Sequence, residues 1–137
     1  MNYKKYCKKD LIFGSKCELK LLNKIRERWG EDIQKTQNKY AVFDFENKDL
    51  QIELKNRRCS SRQYPSMMIG LNKLQKAERD LDEKKSIFLW NLTDGLYMWE
   101  YNKDDYYVAK GGRTNRGKDE RKMTAFVPTE HLIKWCV

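Results

Sequence analysis

The residues best suited to catalysis lie in one short segment, residues 40–57, whose pattern predicts two strands joined by a polar turn. In the second strand Glu53 and Lys55 alternate with apolar residues, so both side chains point to one face. A tight turn would set Asp44 opposite Gln51 and diagonal to Glu53 on that face. Two carboxylates can bind a hard divalent cation, and a lysine beside them can orient or activate a water molecule. The segment is therefore a candidate for metal-assisted hydrolysis.

The charged face of this hairpin also has a simpler interpretation. A half-buried hairpin normally has an apolar side and a charged side, and opposite charges across the strands stabilise it slightly. On these residues alone a solvated surface is the more common outcome, because short motifs match by accident. The flanking segments are needed to choose between the two interpretations.

A helix is predicted before the hairpin, over residues 15–29. Its apolar residues recur at every fourth position, and Gly30 is the predicted stop. Ser15 and Glu18 have the spacing of a capping box, and a role in that box is the simpler one for Glu18. In the alternative interpretation Glu18 faces the same cleft as Asp44 and is a catalytic residue.

A second helix is predicted after the hairpin, over residues 66–81. Ser66 is a suitable N-cap, and Met67, Leu71 and Leu74 begin an apolar stripe at helical spacing. A basic loop precedes this helix. The loop and the helix supply basic and aromatic residues that are candidates for contacts with a polyanion: Arg57, Arg58, Arg62, Tyr64 and Lys73.

Composition favours a polyanionic partner. The 137 residues carry a formal net charge of +9, and positive charge is concentrated at the N-terminus, in the arginine loop and in residues 111–122. Arg113 and Arg116, in this Gly-broken stretch, are candidates for contacts along a phosphate backbone. The alternative, that the stretch is simply a solvated loop, stays open.

Cysteines and hydropathy limit the remaining classes of function. The four cysteines show no Cys-x-x-Cys spacing and there is one histidine, so a zinc site is not expected. No apolar stretch has the length of a signal peptide or a membrane span. We therefore expect a protein of a reducing, cytosol-like compartment that does not contact a membrane.

The C-terminal half is predicted to be scaffold. Residues 87–92 form a continuous apolar run, typical of a central strand covered on both faces. Residues 93–95 favour a turn, and residues 96–101 are the predicted hairpin partner. Residues 106–109 are predicted as a strand near the sheet edge, and a closing helix is predicted from Thr129 through Trp135.

The order of these elements resembles the PD-(D/E)XK nuclease superfamily. The resemblance covers roughly residues 15–101. It is carried by a helix with an acidic residue, a strand ending in Asp44, the sequence Glu53-Leu-Lys55, and then a helix and further strands. The segment from Arg57 to Lys73 is similar to small members of the superfamily from phages and large DNA viruses. Phe43 stands where the motif has proline, a departure that is frequent in the superfamily.

The resemblance implies a fold and an activity. The expected fold is a single α/β domain over residues 1–137, with a restriction-endonuclease-like core and a mixed central sheet of about five strands flanked by helices. Helix 66–81 is expected beside helix 15–29. The expected activity is Mg²⁺-dependent hydrolysis of nucleic acid phosphodiesters, with DNA as the expected substrate and Mn²⁺ able to replace Mg²⁺.

The resemblance also implies roles for individual residues. Asp44 and Glu53 would coordinate the metal, together with the backbone carbonyl of Leu54. Lys55 would position or deprotonate the attacking water. Glu18 would add a ligand or an outer contact. If the protein is viral, it would act in the cytoplasm or nucleus of the host cell.

Two other interpretations of the same residues remain. The basic domain is suited to a noncatalytic module that binds nucleic acid, with the charged hairpin face as mere surface. Alternatively it is a homodimeric nuclease that resolves Holliday junctions, because one small domain has one active site and a junction requires two cuts.

Overall fold

The computed structural model describes residues 20–38, 40–111 and 122–135. In these residues, helix α1 covers residues 20–29 and helix α2 covers Leu71–Arg79. The strands are β1 Gln34–Lys35, β2 Phe45–Glu46, β3 Leu50–Asn56, β4 Ser66–Ile69, β5 Lys85–Leu92, β6 Gly95–Glu100, β7 Tyr107–Gly111, β8 Lys122–Pro128 and β9 Ile133–Trp135. Neither helix is long and apolar enough, over this part of the chain, to cross a membrane.

The strands form two sheets. The larger sheet has six strands in the order β1-β2-β3-β5-β6-β9, and the smaller has three in the order β4-β8-β7. Among the strands of the described residues, only the β3–β5 pair is parallel; the other pairs are antiparallel. A parallel pair needs a crossover, which here consists of β4 and α2. This mixed α/β architecture confirms the predicted restriction-endonuclease-like fold, with six strands in the central sheet.

Different helices pack on the two faces of the larger sheet. Leu21 and Ile25 of α1 pack on one face, against a core that includes Ile52. Leu74 of α2 packs on the other face, against a core that includes Phe88. Successive residues of a buried strand point to opposite faces, and β5 is apolar on both, as its unbroken apolar run predicted. The helices therefore lie on opposite sides of the sheet and not beside each other as expected.

The second helix begins later than predicted. Residues 66–69 form strand β4, in which Met67 and Ile69 are buried. Helix α2 starts only after Gly70, which makes no side-chain cap. Ser66 is therefore not an N-cap. The apolar residues at 67, 71 and 74 fit a helical period by coincidence, because the strand's own period of two is satisfied by pairing with β8.

The predicted closing helix is also wrong. Thr129–His131 form a single 3₁₀ turn, and Ile133–Trp135 then extend as β9. Trp135 pairs with Leu96 on the neighbouring strand and is buried in the core beneath α1. Strand pairing at the sheet edge satisfies backbone groups of this segment and buries its tryptophan.

Several local predictions hold. Helix α1 ends at residue 29, and Gly30 follows with a φ of +144°, a conformation that glycine adopts without strain. Strands β5 and β6 form the predicted hairpin, and β7 lies at the edge of the smaller sheet. The first strand of the 40–57 hairpin is shorter than predicted, because only Phe45–Glu46 pair as β2.

Candidate active site

The turn between β2 and β3 determines which residues face each other. The Oδ1 atom of Asn47 accepts hydrogen bonds from the backbone amides of Asp49 at 2.9 Å and Leu50 at 2.7 Å. This side-chain cap closes the turn one position later along the chain than predicted. The register shifts with it, and the predicted pairing of Asp44 with Gln51 is wrong.

The hairpin brings the two acidic residues together. Phe45 pairs with Ile52, and Glu46 pairs with Gln51. The pairing ends at Phe45, and the backbone amide of Asp44 also donates to the carbonyl of Ile52, at 2.9 Å. The Asp44 carboxylate accepts the amide of Leu54 and lies close enough to Glu53 to raise the pKa of that residue.

The polar face of β3 is buried. Alternation along the strand is as predicted, since Leu50, Ile52 and Leu54 all pack in the core beneath α1. The opposite face is covered by α2, however, and Gln51 and Glu53 are only 1% and 4% exposed. The interpretation of this face as a solvated surface is therefore wrong for these two residues.

The buried side chains of Gln51 and Glu53 differ in the polar contacts that they make. The side-chain amide of Gln51 donates to Ser86 Oγ at 2.9 Å and more weakly to Asp80 at 3.4 Å. Glu53 Oε1 contacts the ammonium of Lys73, which α2 extends over the strand, and lies 3.8 Å from the Nζ atom of Lys55. Glu53 Oε2 is buried and accepts no hydrogen bond from any described residue.

Asp44 is held in place through its main chain and its carboxylate. Its backbone amide donates to Ile52 at 2.9 Å, and its carbonyl accepts the amide of Thr36 at 2.9 Å. Its Oδ2 atom accepts the backbone amide of Leu54 at 2.8 Å. These bonds place the carboxylate beside the backbone that separates Glu53 from Lys55.

Burial and neighbouring charges shift two proton equilibria in opposite directions. Burial, and secondly the carboxylate of Asp44, raise the pKa of Glu53 above its ordinary value, although Lys73 and Lys55 partly offset this. Burial, and secondly the ammonium of Lys73, lower the pKa of Lys55. Displaced pKa values of this kind, in a carboxylate and a lysine that contact each other, are typical of catalytic sites.

The residues present fit a hard divalent cation. Asp44 and Glu53 offer carboxylate oxygens, which Mg²⁺ and Mn²⁺ prefer. The buried Oε2 atom of Glu53 carries charge that no described donor satisfies, which is costly in a protein interior unless a cation compensates it. No third acidic, histidine or cysteine side chain joins the pair within residues 20–38, 40–111 and 122–135. Glu18, the predicted additional residue, lies outside these residues.

The predicted nucleic-acid contacts fall into three groups. Lys73 lies in the acidic site itself and contacts Glu53, a neighbour that the sequence did not reveal. The arginine loop and Tyr64 follow β3 on the surface, where Arg57, Arg58 and Arg62 are exposed. Arg113 and Arg116 lie outside the described residues.

A groove runs along the arginine loop. We call it the aromatic groove; it has a volume of about 530 Å³, and its lining includes Arg57, Arg58, Tyr64, Met68, Trp90 and Phe126. Met68 and Phe126 were missed from the sequence. Met68 lies between two buried residues of β4. Because side chains alternate along a strand, this pattern is the one signal in the sequence that could have placed Met68 on the solvent-facing side of the sheet.

This fold, with a pair of carboxylates beside a lysine, is consistent with the PD-(D/E)XK nuclease superfamily. The model of one family, described as "Phage putative PDDEXK endonuclease", matches residues 14–132. The chain belongs to this family, and the resemblance found in the sequence is confirmed over a longer stretch. Membership places the protein among the nucleases, which are phosphodiester hydrolases. No curated protein and no solved structure shows a significant match to the chain.

Proposed function

We propose that the protein is a Mg²⁺-dependent endonuclease that hydrolyses phosphodiester bonds of DNA. The observation that carries this proposal is the arrangement around Glu53. A buried carboxylate with an unsatisfied oxygen lies near a second acidic residue, Asp44, and 3.8 Å from a lysine whose pKa is lowered. An arrangement built only for stability would not need a buried carboxylate without a donor for one of its oxygens.

Asp44 and Glu53 would hold the divalent cation, with the carbonyl of Leu54 as an additional ligand. When bound, the cation would neutralise charge on the scissile phosphate and lower the pKa of a bound water. Asp44 is prepared for this role because the hydrogen bond from the amide of Leu54 and its own amide's hydrogen bond to Ile52 hold it in place.

Lys55 would act on the attacking water. Its lowered pKa increases the fraction of neutral amine near neutral pH, so that Nζ can accept a proton from water. In its ammonium form the same atom would stabilise the additional negative charge of the transition state. Its side chain is 15% exposed, so it borders solvent from which a substrate can approach.

The charge of the protein supports DNA as substrate. The net charge is +9, and the exposed arginines 57, 58 and 62 follow the strand that carries Glu53 and Lys55. Basic residues so close to an acidic site offset the repulsion between its carboxylates and a phosphate. One chain carries one such site, so a nick needs one copy, whereas a double-strand cut or resolution of a junction needs a homodimer or two binding events.

A cleavage assay tests the proposal. Supercoiled plasmid, linear duplex and branched DNA are incubated with the protein in Mg²⁺, Mn²⁺ or EDTA, and nicked and linear products are separated on gels. We expect cleavage with either metal and none in EDTA. Asp44→Asn should abolish cleavage, and Lys55→Ala should lower its rate by about 10²–10³.

Matched controls use the same residue types elsewhere on the surface. Asp82→Asn and Lys85→Ala change exposed residues and should cleave as wild type does. If the wild type cleaves no substrate with either metal, the noncatalytic nucleic-acid-binding module is the better interpretation. If Asp44→Asn and Lys55→Ala cleave as wild type does, these residues are not catalytic and the proposed site is refuted.

A further inference from the structure

The smaller sheet carries a row of large side chains on its outer face. Met68 of β4 pairs with Phe126 of β8, which pairs in turn with Tyr107 of β7. Residues paired in this way stand side by side on one face. The rings of Phe126 and Tyr107 are stacked, with centroids 5.4 Å apart and planes inclined by 14°.

The side chains of this row are unusually exposed to solvent for large apolar residues. Met68 is 50% exposed and Tyr107 is 51% exposed, and Tyr64, in the adjoining loop, is 52% exposed. Isolated apolar residues on a surface need no explanation, but a contiguous group beside charged residues marks a binding site. Packing within the sheet explains the contact between Phe126 and Tyr107 but not the exposed surfaces of Met68 and Tyr64.

The row and the arginine loop share the aromatic groove. Arg57 and Arg58 line this groove together with Tyr64, Met68 and Phe126. Positive charge and exposed apolar side chains therefore border one space, as in sites where a phosphate backbone and its bases are bound together.

The groove adjoins the candidate active site. Trp90, which lines the groove, pairs with Lys55 across the parallel strands β3 and β5. Arg57 follows Lys55 by two residues. A strand of nucleic acid bound at the carboxylates would therefore continue toward the groove.

The loop that forms the groove is anchored. The backbone amide and the hydroxyl of Ser61 donate to the carboxylate of Asp94 at 2.9 Å and 2.6 Å, and the amide of Thr93 donates to the carbonyl of Cys59 at 3.0 Å. The hydrogen bonds from Ser61 lower the pKa of Asp94, so the carboxylate remains ionised as an acceptor. The arginines are thus presented from a loop tied to the β5–β6 turn.

We propose that the aromatic groove binds unpaired nucleotides of the substrate, with bases against Tyr64 and Met68 and phosphates against Arg57 and Arg58. The inference names the substrate class of the proposed nuclease and rests on that function: DNA in which a single-stranded stretch adjoins the cut. Bases in an intact duplex hide their faces in the stack, so only unpaired bases can use an apolar surface of this kind. A site for duplex backbone alone would require the arginines but not the exposed tyrosine and methionine.

Binding is measured in EDTA, so that no cleavage occurs, by fluorescence anisotropy with labelled DNA. Two substrates have the same number of phosphates: a blunt duplex, and a shorter duplex with a single-stranded extension. We expect the wild type to prefer the extended DNA by at least about five-fold, the lower end of what stacking one base contributes. Tyr64→Leu and Met68→Ala should each reduce this preference several-fold, and the double variant should abolish it.

The matched control is Met123→Ala. Met123 is 51% exposed, much as Met68 is. It lies in β8 at an odd number of residues from Phe126, so its side chain points to the opposite face of the sheet. This variant should keep the wild-type preference. A second measurement places 2-aminopurine in the single-stranded extension; stacking should quench its fluorescence with wild type and less so with Tyr64→Leu.

The outcomes separate this inference from the proposed function. Equal affinity of the wild type for both DNAs, or an unchanged preference in Tyr64→Leu and Met68→Ala, overturns the inference even if the protein cleaves DNA in Mg²⁺. A preference that depends on Tyr64, in a protein that cleaves nothing, supports the groove and refutes the nuclease.

Discussion

Replacing Lys73 by methionine tests whether the buried carboxylate of Glu53 depends on this lysine. Lys73 lies 21% exposed on α2 and contacts Glu53 Oε1, while the Glu53 side chain is 6% exposed. Methionine preserves much of the aliphatic length and removes the charge. The variant therefore leaves Glu53 with Lys55, 3.8 Å away, as its cationic neighbour among the described residues.

The expected loss of stability follows from this geometry. Removal of one partner from a fully buried ion pair costs about 3–5 kcal/mol. The cost here should be lower, about 1–3 kcal/mol, because Lys73 is partly hydrated and Lys55 still offsets some of the charge. For a chain of this size each kcal/mol corresponds to a fall in Tm of roughly 3–5 °C.

Thermal unfolding without metal measures the effect, and the same helix supplies a matched control. Lys76 also forms an ion pair, with Asp80 at 2.6 Å, but at 30% and 20% exposure, nearer the surface. Lys76→Met should cost only about 0.3–0.5 kcal/mol, as exposed helix pairs do. Added Mg²⁺ should raise the Tm of Lys73→Met more than that of wild type, because the lysine no longer competes for Glu53.

A double-mutant cycle isolates the contact itself. Combining Lys73→Met with Glu53→Gln should give a coupling free energy of at least about 1 kcal/mol, since the second change removes the charge that the first leaves uncompensated. If Lys73→Met is no more destabilising than Lys76→Met, or if the coupling is zero, Lys73 does not stabilise the ionised Glu53.

Two further predictions concern the hairpin that carries the site. Glu53→Gln should abolish cleavage and should make stability less sensitive to pH. Because the pKa of Glu53 is raised in the folded state, its contribution to the free energy of unfolding is complete below the ordinary value of 4.5 and is lost as pH rises through the folded-state pKa. The Tm of the variant relative to wild type should therefore increase from pH ~4 to ~8. A constant Tm difference across that range would contradict this. Asn47→Ala removes both side-chain bonds of the turn and should destabilise the fold by about 1–2 kcal/mol. It should also lower cleavage further than the unfolded fraction accounts for, because the turn that brings Asp44 near Glu53 is loosened. Denaturant unfolding and cleavage of the same preparation measure both effects, and an unchanged specific activity per folded molecule would show that the turn geometry survives.

The sequence was most informative about features that depend only on residues close together in the chain. The alternation in β3 predicted which residues share a face, because that depends only on the pleat of one strand. The apolar run of β5 predicted a strand covered on both sides for the same reason. The Glu53-Leu-Lys55 motif and the position of Asp44 could therefore be proposed before any tertiary contact was known.

Contacts between distant segments could not be predicted in this way. The hairpin residues do not show that α2 covers the face of Glu53, or that Lys73 would contact it. The strand at residues 66–69 was missed because its partner, β8, lies far along the chain, whereas the helical spacing of its apolar residues is local. The 3₁₀ turn and β9 were missed similarly, since pairing of Trp135 with Leu96 outweighs the local preference for a helix.

The two sheets also differ in how far apart in the chain their partners lie, and this bears on the order in which the protein folds and opens. The candidate catalytic residues in the described part of the chain lie between Asp44 and Lys55, and the parallel pairing beside them joins Leu50 to Lys85. The smaller sheet must instead join Ser66 to Pro128, a larger loop whose closure costs more chain entropy. Contacts of high sequence separation tend to form late, and regions with few buried contacts open first. We therefore expect amides of β4 and β8 to exchange with solvent sooner than those of β3 and β5, so that the groove can open in transient excursions that leave the carboxylate pair assembled.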